Sequence, residues 1–250
     1  MKNNDWSISK TWNELLTEDY PVKPRNYIRA SEVGKAYLDR YLSMKGVKPT
    51  NPFDPRIKRI FDCGYIFEDV VERIFRLVGI LIDTQKTITV KTPNMLDVIG
   101  HYDYKVGGKI NPEQAREAIA NTTSSWIKER ATKLLEELLK KYSNGMKKLI
   151  AETKSVNSRS FWSHKNQDPE TGFFRGYDHH KLQLYTYLLG DNEEEGRLFY
   201  CSKDDLTLME TAVFLNQTEL KEKWMNDVAT TTKFFNSNKE PDKEPDIVFN

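Results

Sequence analysis

The sequence predicts a mixed α/β (α+β) fold, and three kinds of pattern support that prediction. Some stretches repeat apolar residues at helical spacing, as amphipathic helices do. Others alternate polar and apolar residues, as half-buried strands do. Near the C-terminal end two strand patterns follow one another with only Asp204 and Asp205 between them, which suits a hairpin turn. Helices mixed with consecutive strands favour this class.

Helical periodicity marks five segments of the chain. Ser31 is a plausible N-cap for the first of them, and Gly79 ends the second. The third is long and charged, and its position between the second and third strands indicates a helical insertion. Its apolar stripe is Leu134, Leu135, Leu138 and Leu139. The segments are 31–44, 60–78, 112–142, 178–189 and 217–235.

Strand patterns predict a central mixed sheet of about five strands, flanked by the helices. In the second strand the tyrosines Tyr102 and Tyr104 fall on one face, and Asp103 falls on the other. The strands are 87–91, 97–106, 148–155, 197–203 and 206–214.

Length and composition are those of one folded domain. The chain has 250 residues, of which 38% are hydrophobic and 12% aromatic, so it can bury a core. Its net charge is only +1, so a nucleic-acid partner would need positive potential that is concentrated locally. Within a single domain over 1–250 we expect an N-terminal extension (1–26), the helical insertion (109–146) and a C-terminal tail (236–250).

The sequence leads us not to expect several classes of protein. The cysteines Cys63 and Cys201 are too few for a zinc knuckle, a disulfide framework or an iron–sulfur cluster. No phosphate-cradling G-x-x-x-x-G-K-[ST] loop is present, so no nucleotide is expected. Without a signal core or a long apolar run, the sequence predicts a soluble cytoplasmic protein with no membrane contact (in the host cytoplasm for a viral protein).

Residues suited to metal chemistry lie on the second and third strands. Alternation places Glu152 and Lys154 on the same side of the third strand, with Thr153 facing away. The carboxylate suits a hard divalent cation, and the ammonium suits an attacking water or developing negative charge. Asp103 reaches the same cleft if the two strands are neighbours. Alone, each feature also fits an exposed ion pair or a solvated aspartate.

Two helices contribute further candidates. Glu68 can reach the same metal directly or through water, and Gly64 would allow another backbone to approach the helix. Glu72 shares the face of Glu68, but we expect it to face solvent. Gln183 and Tyr187 lie one turn apart, so they project together towards the site or a stacked nucleotide, although core packing explains such a pair as well.

In this order, the motifs resemble those of the PD-(D/E)XK nuclease superfamily. They are helix G-x-x-x-E, strand G-x-x-D, strand E-x-K and helix Q-x-x-x-Y. More narrowly, the chain is similar to the RecB-type branch, which includes CRISPR-associated exonucleases and many phage nucleases. The resemblance covers about residues 27–215, including the segments 27–42 and 197–210. It implies a restriction-endonuclease-like core and a Mg²⁺- or Mn²⁺-dependent deoxyribonuclease.

The resemblance also implies roles for individual residues. Catalysis falls to Asp103, Glu152 and Lys154. Metal binding falls to Asp103, Glu152, the Thr153 carbonyl and Glu68, which takes a position often filled by histidine in relatives. Gln183 and Tyr187 would hold the site or the substrate.

Cations and aromatic residues flank these motifs and are candidates for contacts with DNA. As substrate-binding cations we expect Arg159, Lys165 and Arg175, with Arg25 and Arg29 also near the motifs. As stacking residues we expect Phe161, Trp162, Phe173 and Phe174. Surface cations and core aromatics are the alternative for each of them.

The expected function is that of an exonuclease on DNA ends or single strands, in replication, recombination or repair. The cysteines of iron–sulfur relatives are missing, so no cluster is expected. The helical insertion is larger than the hairpin common in the family, and it is a candidate surface for a protein partner. An endonuclease of the same fold, and a non-cleaving nucleic-acid-binding or assembly protein, remain as alternatives.

Overall fold

The computed structural model describes residues 7–17, 22–50, 54–163 and 175–243. Within them, five strands form an open mixed sheet in the order β2-β5-β6-β7-β8, in which only β6 and β7 run parallel. Three more strands form a smaller sheet in the order β1-β4-β3. The strands are Ile28–Arg29 (β1), Leu81–Thr84 (β2), Thr87–Val90 (β3), Val98–His101 (β4), Tyr104–Gly108 (β5), Met146–Val156 (β6), Glu195–Ser202 (β7) and Leu208–Phe214 (β8).

Helices lie on both faces of the larger sheet. They are Ile8–Leu15 (α1), Tyr37–Met44 (α2), Pro55–Val78 (α3), Pro112–Ala120 (α4), Ser125–Lys141 (α5), Ser158–Phe161 (α6), Asp178–Asp191 (α7) and Thr218–Asn236 (α8), with a short 3₁₀ helix at Ala30–Glu32. No helix in the described part of the chain is long and apolar enough to cross a membrane.

The predicted class, a mixed α/β fold with a five-stranded sheet flanked by helices, is confirmed. The membership of the sheet differs from the prediction, because β3 belongs to the smaller sheet and the unpredicted β2 takes a place in the larger one. The predicted strand 97–106 is also divided. Its first half, β4, pairs with β1 and β3, whereas its second half, β5, pairs with β2 and β6. Alternation identifies strands, but it does not identify their neighbours.

The helical insertion lies where the sequence predicts it, between β5 and β6, but it is two helices rather than one. Asn111 caps α4 by accepting from the backbone N–H groups of Glu113 and Gln114, each at 3.1 Å. The chain then leaves the helix at residues 121–124, where threonine and serine favour caps and turns over helix interiors.

The predicted leucine stripe of the insertion is partly wrong. Leu135 is buried with Ile110 and Ala115, and Leu138 and Leu139 pack against them, but Leu134 is 45% exposed. The expected protein partner of this insertion stays a prediction.

The first predicted helix begins later than expected. Residues 30–32 form a 3₁₀ turn, and α2 begins only at Tyr37. Between them Gly34 adopts a φ of +79°, because its backbone lies against α7: a Cβ at Gly34 would lie 2.7 Å from Cδ1 of Leu182. Only glycine adopts that conformation without strain while allowing such a close approach.

The remaining helices agree well with their patterns. Asp54 caps α3 through its Oδ1, which accepts from the N–H of Ile57 at 2.8 Å, so the helix begins before residue 60. Gly79 ends it in the left-handed conformation, as predicted. Helices α7 and α8 begin at Asp178 and Thr218, close to the predicted starts. Of the predicted terminal segments, residues 1–6, 18–21 and 244–250 lie outside the described residues.

The two faces of the larger sheet pack against different helices. Ile150 and Leu198 join a core with Leu184 and Leu188 of α7. Their neighbours along the strands, Ala151 and Phe199, join a second core with Val71 and Phe75 of α3. Because side chains alternate along a strand, β6 presents alternate residues to α7 and to α3.

Candidate active site

The carboxylate of Glu152 is the centre of a buried hydrogen-bonded group. It lies on β6 and is only 2% exposed. Its Oε1 accepts from Nζ of Lys154 at 2.6 Å and from Nε2 of Gln183 on α7 at 2.8 Å. The even spacing of Glu152 and Lys154 along β6 therefore brings both side chains to one place, as alternation predicts.

Asp103 adjoins Glu152 through backbone hydrogen bonds. It lies between β4 and β5, at the point where the chain passes from the smaller sheet to the larger one. Its Oδ2 accepts from the N–H of Thr153 at 2.7 Å, and its own N–H donates to Oε2 of Glu152 at 3.4 Å. The pairing of β5 with β6, in which Tyr104 is opposite Ala151, sets this register. Both carboxyl groups consequently lie side by side in a buried position.

The electrostatics of this group are dominated by burial and by the two adjacent acids. Burial raises the pKa of Asp103 well above its ordinary value, and the negative charge of Glu152 raises it further. For Lys154 burial acts to lower the pKa, but Glu152 and Asp103 outweigh it and the pKa is raised. The ammonium of Lys154 therefore stays charged. It is one positive charge beside two acidic groups, Asp103 and Glu152.

Glu68, on α3, lies within electrostatic range of the same group. It is half-buried, and its pKa is raised first by burial and then by the charge of Glu152. The hydroxyl of Tyr104 donates to the backbone carbonyl of Glu68 at 2.7 Å, which ties α3 to the start of β5. Glu72 instead pairs with Arg76 at 2.7 Å on the helix surface, in agreement with the prediction.

Gln183 and Tyr187 support Glu152. Nε2 of Gln183 donates to the Tyr187 hydroxyl at 2.8 Å as well as to Glu152. The ring of Tyr187 is only 2% exposed, so it offers no face on which a nucleotide base can stack. That part of the prediction is wrong, because the ring packs edge-on against Tyr102 in the core.

The two motif glycines have opposite surroundings. A Cβ at Gly64 would meet no heavy atom within 4 Å, so the expected close approach of another backbone is absent among the described residues. A Cβ at Gly100 would lie 2.8 Å from Cε1 of Tyr187 and 2.5 Å from Cβ of Ala30. The glycine of the G-x-x-D motif therefore makes room for Tyr187, a role that the sequence did not indicate.

The predicted DNA-contacting cations differ in exposure, and one of them lies outside the described residues. Arg159 and Arg175 are exposed, as is Arg29. Arg25 is bound by Glu32, with distances of 2.6 and 2.5 Å to the two carboxylate oxygens, and its side chain is buried. The expectation for Arg25 is therefore wrong. Lys165 lies outside the described residues.

The aromatic candidates divide in the same way. Phe161 is fully buried in the main core, so it is not available for stacking, and its prediction is wrong. Trp162 is 47% exposed and keeps an accessible ring. Phe173 and Phe174 lie outside the described residues.

Three basic residues near the site were not singled out by the sequence. Lys35, His179 and His180 each have their pKa lowered by burial and by the charge of Lys154. For His179 the pKa falls to about 4, so its ring is neutral at pH 7. His180 also contacts the hydroxyl of Tyr200 through Nδ1, at 3.1 Å. The sequence did contain one indication of the two histidines, namely their position one helical turn before Gln183.

The donor set fits a hard divalent cation. Asp103 and Glu152 supply two adjacent carboxyl groups, and among the described residues Lys154 is the cation that forms an ion pair with them. Within the described ranges, no three His, Cys, Asp or Glu side chains gather closely enough to form a metal cage of their own. Mg²⁺ and Mn²⁺ suit such a site, since Mg²⁺ commonly takes one or two carboxylates and fills its other positions with water and substrate phosphate.

Two solved structures show distant similarity to the chain. No protein-family model matches the chain, and none of the curated proteins matches its sequence. Among solved structures, an alkaline exonuclease (LHK-Exo) from Laribacter hongkongensis aligns with a TM-score of 0.48 and 12% identity, over 92% of this chain and 93% of that one. The protein SSO0001 aligns with a TM-score of 0.43 and 15% identity, over 89% and 83%. Similarities this low do not indicate a function. The proposed function therefore depends on the residues of the site.

Proposed function

We propose that the chain is a Mg²⁺- or Mn²⁺-dependent DNA nuclease of the PD-(D/E)XK type that hydrolyses phosphodiester bonds. One observation carries the proposal. The buried carboxylates of Asp103 and Glu152 lie side by side, and Lys154 donates to Glu152 at 2.6 Å. Two acids and one lysine, grouped where β5 and β6 meet in the sheet, are the groups that metal-assisted hydrolysis of a phosphodiester needs.

The proposed division of labour follows from the contacts. Asp103 and Glu152 would hold the metal ion, with Glu68 and the Thr153 carbonyl as further proposed ligands. The bound ion would supply a more acidic water and neutralise charge on the phosphate. Lys154 keeps a positive charge beside Glu152, where it can orient the attacking water or offset developing negative charge. Gln183 fixes the orientation of Glu152 from α7.

DNA is the proposed substrate, and the proposed activity is that of an exonuclease on ends or single strands. The order of the motifs, which resembles that of RecB-type nucleases, supports this assignment. Arg159 and Arg175 are exposed and suit contacts with the DNA backbone, and Lys165 is proposed for the same role. Replication, recombination and repair are the processes in which such an activity would serve.

The test is metal-dependent cleavage of three substrates. The protein is incubated with Mg²⁺ or Mn²⁺ and with one of three substrates. These are end-labelled single-stranded DNA, end-labelled linear duplex DNA and closed circular DNA. Lys154→Ala is compared with Lys133→Ala, which removes an exposed lysine paired with Glu129 on α5. We expect Lys154→Ala to lower the rate by about two to three orders of magnitude and the control to leave it unchanged.

Each outcome decides between specific alternatives. Release of nucleotides from linear DNA, with circles intact, supports the exonuclease. Cleavage of closed circles would assign an endonuclease of the same fold. If the protein bound DNA but did not cleave it with either metal ion, it would be a non-cleaving binding module. If Lys154→Ala were as active as the wild type, the proposed mechanism would be contradicted.

A further inference from the structure

We propose that Lys35 is a further substrate-binding residue, which contacts a DNA backbone phosphate beside the reacting centre. The inference rests on the proposed nuclease function and adds to it a residue outside the four motifs. Three features of the structure support it: the packing that carries Lys35 to the site, the anchoring of its backbone, and the lack of an acid to neutralise it.

The turn before α2 is packed directly on the first turns of α7. A Cβ at Gly34 would lie 3.3 Å from Cα of His179 and 2.7 Å from Cδ1 of Leu182. Lys35 follows Gly34 and therefore emerges beside the N-terminal end of α7, the helix whose Gln183 holds Glu152. The fold thus brings a residue from the first part of the chain to the helix that supplies Gln183, on the side where the charge of Lys154 acts on it.

A buried arginine, Arg40, anchors the backbone of Lys35. Nη2 of Arg40 donates to the carbonyl of Lys35 at 2.6 Å. The same guanidinium donates to Oδ2 of Asp227 at 2.6 Å and to the hydroxyl of Thr231, both on α8. Because Arg40 is only 2% exposed, the position of Lys35 depends on a buried link between α2 and α8 rather than on a free loop.

In the described part of the chain, no acid forms an ion pair with the ammonium of Lys35. Within the described residues it forms no ion pair, and the acid in its neighbourhood, Glu32, is already held by both contacts from Arg25. Burial lowers the pKa of Lys35, and the charge of Lys154 lowers it further. Two like charges that act on each other repel, and an anion bound near them relieves the repulsion. A phosphodiester backbone supplies such anions at regular intervals.

The chemistry of the neighbours favours phosphate over a base. The lysine is a compact charge with three donors, which suits phosphate oxygens without reading the sequence. The adjacent His179 has a pKa of about 4 and adds no charge at neutral pH, so of these two neighbours it is Lys35 that carries a positive charge. Contact of this kind strengthens binding equally for all sequences.

The experiment measures DNA binding separately from cleavage. Fluorescence anisotropy of labelled DNA is followed with Ca²⁺ in place of Mg²⁺, over a range of salt concentrations, for wild type, Lys35→Ala and Lys35→Arg. Lys221→Ala, an exposed lysine on α8, is the control for loss of one positive charge. We expect Lys35→Ala to weaken binding by roughly tenfold and to reduce the slope of log K against log salt by about one unit.

The variants separate a phosphate contact from a structural role. Lys35→Arg should keep the salt slope of the wild type, and Lys221→Ala should match the wild type in both affinity and slope. A Lys35→Ala protein with wild-type affinity and slope would overturn the inference and leave the nuclease proposal standing. A wild-type protein that neither bound nor cleaved DNA would overturn both. A weaker affinity with an unchanged slope would assign Lys35 a structural role and would also contradict the inference.

Discussion

Nε2 of Gln183 lies 2.8 Å from Oε1 of Glu152 and 2.8 Å from the hydroxyl of Tyr187, so both hydrogens of this buried amide are used. Since Oε1 also accepts from Lys154, the two donors occupy one oxygen of the carboxylate. The other oxygen, Oε2, is directed towards Asp103, whose N–H lies 3.4 Å from it. Gln183 and Lys154 together therefore hold the Glu152 carboxylate in the rotation that directs its other oxygen towards Asp103.

Removal of that amide should weaken the site without unfolding the protein. In Gln183→Met only Lys154 would still donate to Oε1 of Glu152, and the carboxylate could rotate away from Asp103. We expect Mn²⁺ affinity or cleavage rate to fall by about ten- to a hundredfold. The measurement is calorimetric titration of Mn²⁺ together with the rate at saturating metal.

A matched control is available on α4. Gln114 donates to the carbonyl of Leu81 at 3.2 Å, away from the carboxylates. Gln114→Met should therefore leave Mn²⁺ affinity unchanged. Equal affinities for wild type and Gln183→Met would show that the amide does not orient Glu152.

Two glycine-to-alanine changes should have opposite effects on stability. In Gly100→Ala the new methyl group would meet Cε1 of Tyr187 at 2.8 Å and Cβ of Ala30 at 2.5 Å, so the free energy of unfolding should fall by about 1–3 kcal/mol. In Gly64→Ala the methyl group enters open space within α3, and stability should rise by about 0.5–1 kcal/mol. Chemical denaturation measures both.

The same pair tests the connection between Gly100 and the site. Displacement of Tyr187 should disturb Gln183, so Gly100→Ala should also lower Mn²⁺ affinity, whereas Gly64→Ala should not. If both variants were as stable as the wild type, the close packing at Gly100 would be contradicted.

The buried ion pair between Arg40 and Asp227 should be costly to break from one side. Their side chains are 1% and 10% exposed, and the two groups approach to 2.6 Å. Arg40→Met leaves the Asp227 carboxylate buried without its partner, and we expect a loss of about 3–5 kcal/mol of unfolding free energy. The double variant Arg40→Met/Asp227→Leu should be less destabilised than Arg40→Met alone, because no unpaired charge remains. Denaturation of the wild type, Arg40→Met, Asp227→Leu and the double variant gives the coupling energy between the two residues, and strict additivity would contradict it.

His179 should make the protein less stable in mild acid. Burial, followed by the charges of Lys35 and Lys154, lowers its pKa from 6.5 to about 4, although Asp178 acts in the opposite direction. Between these two values the unfolded chain binds a proton that the folded protein does not, so stability falls as the pH decreases from 6.5 towards 4. The raised pKa of Asp103 has the opposite sign, so the effect of the histidine must be measured as a difference.

We therefore compare His179→Gln with the wild type by denaturation at several pH values. The variant should lose less stability than the wild type across this window. His101→Gln, at an exposed position on β4, should follow the wild type. Parallel curves for wild type and His179→Gln would rule out a contribution from the histidine.

The sequence alone determined those features that depend on local periodicity and on residues close together in the chain. The helices α7 and α8, the β7–β8 hairpin and the end of α3 at Gly79 follow from spacing and capping, which need no distant partner. Placement of Glu152 and Lys154 on the same side of β6 is likewise a consequence of strand alternation. The order of the motifs also selected Asp103, Glu68 and Gln183 as candidates.

Only the tertiary structure decided what depends on contacts between distant segments. It divided the strand 97–106 between two sheets at Asp103, because hydrogen-bonding partners, rather than alternation, define a sheet. It directed Tyr187 into the core beside Gly100 and withdrew Arg25 into an ion pair with Glu32. It also anchored the backbone of Lys35 against the N-terminal end of α7 through Arg40, whose partner Asp227 is 187 residues away in the chain. Separation in sequence carries no information about such proximity, since it arises only when the packed core closes around both residues.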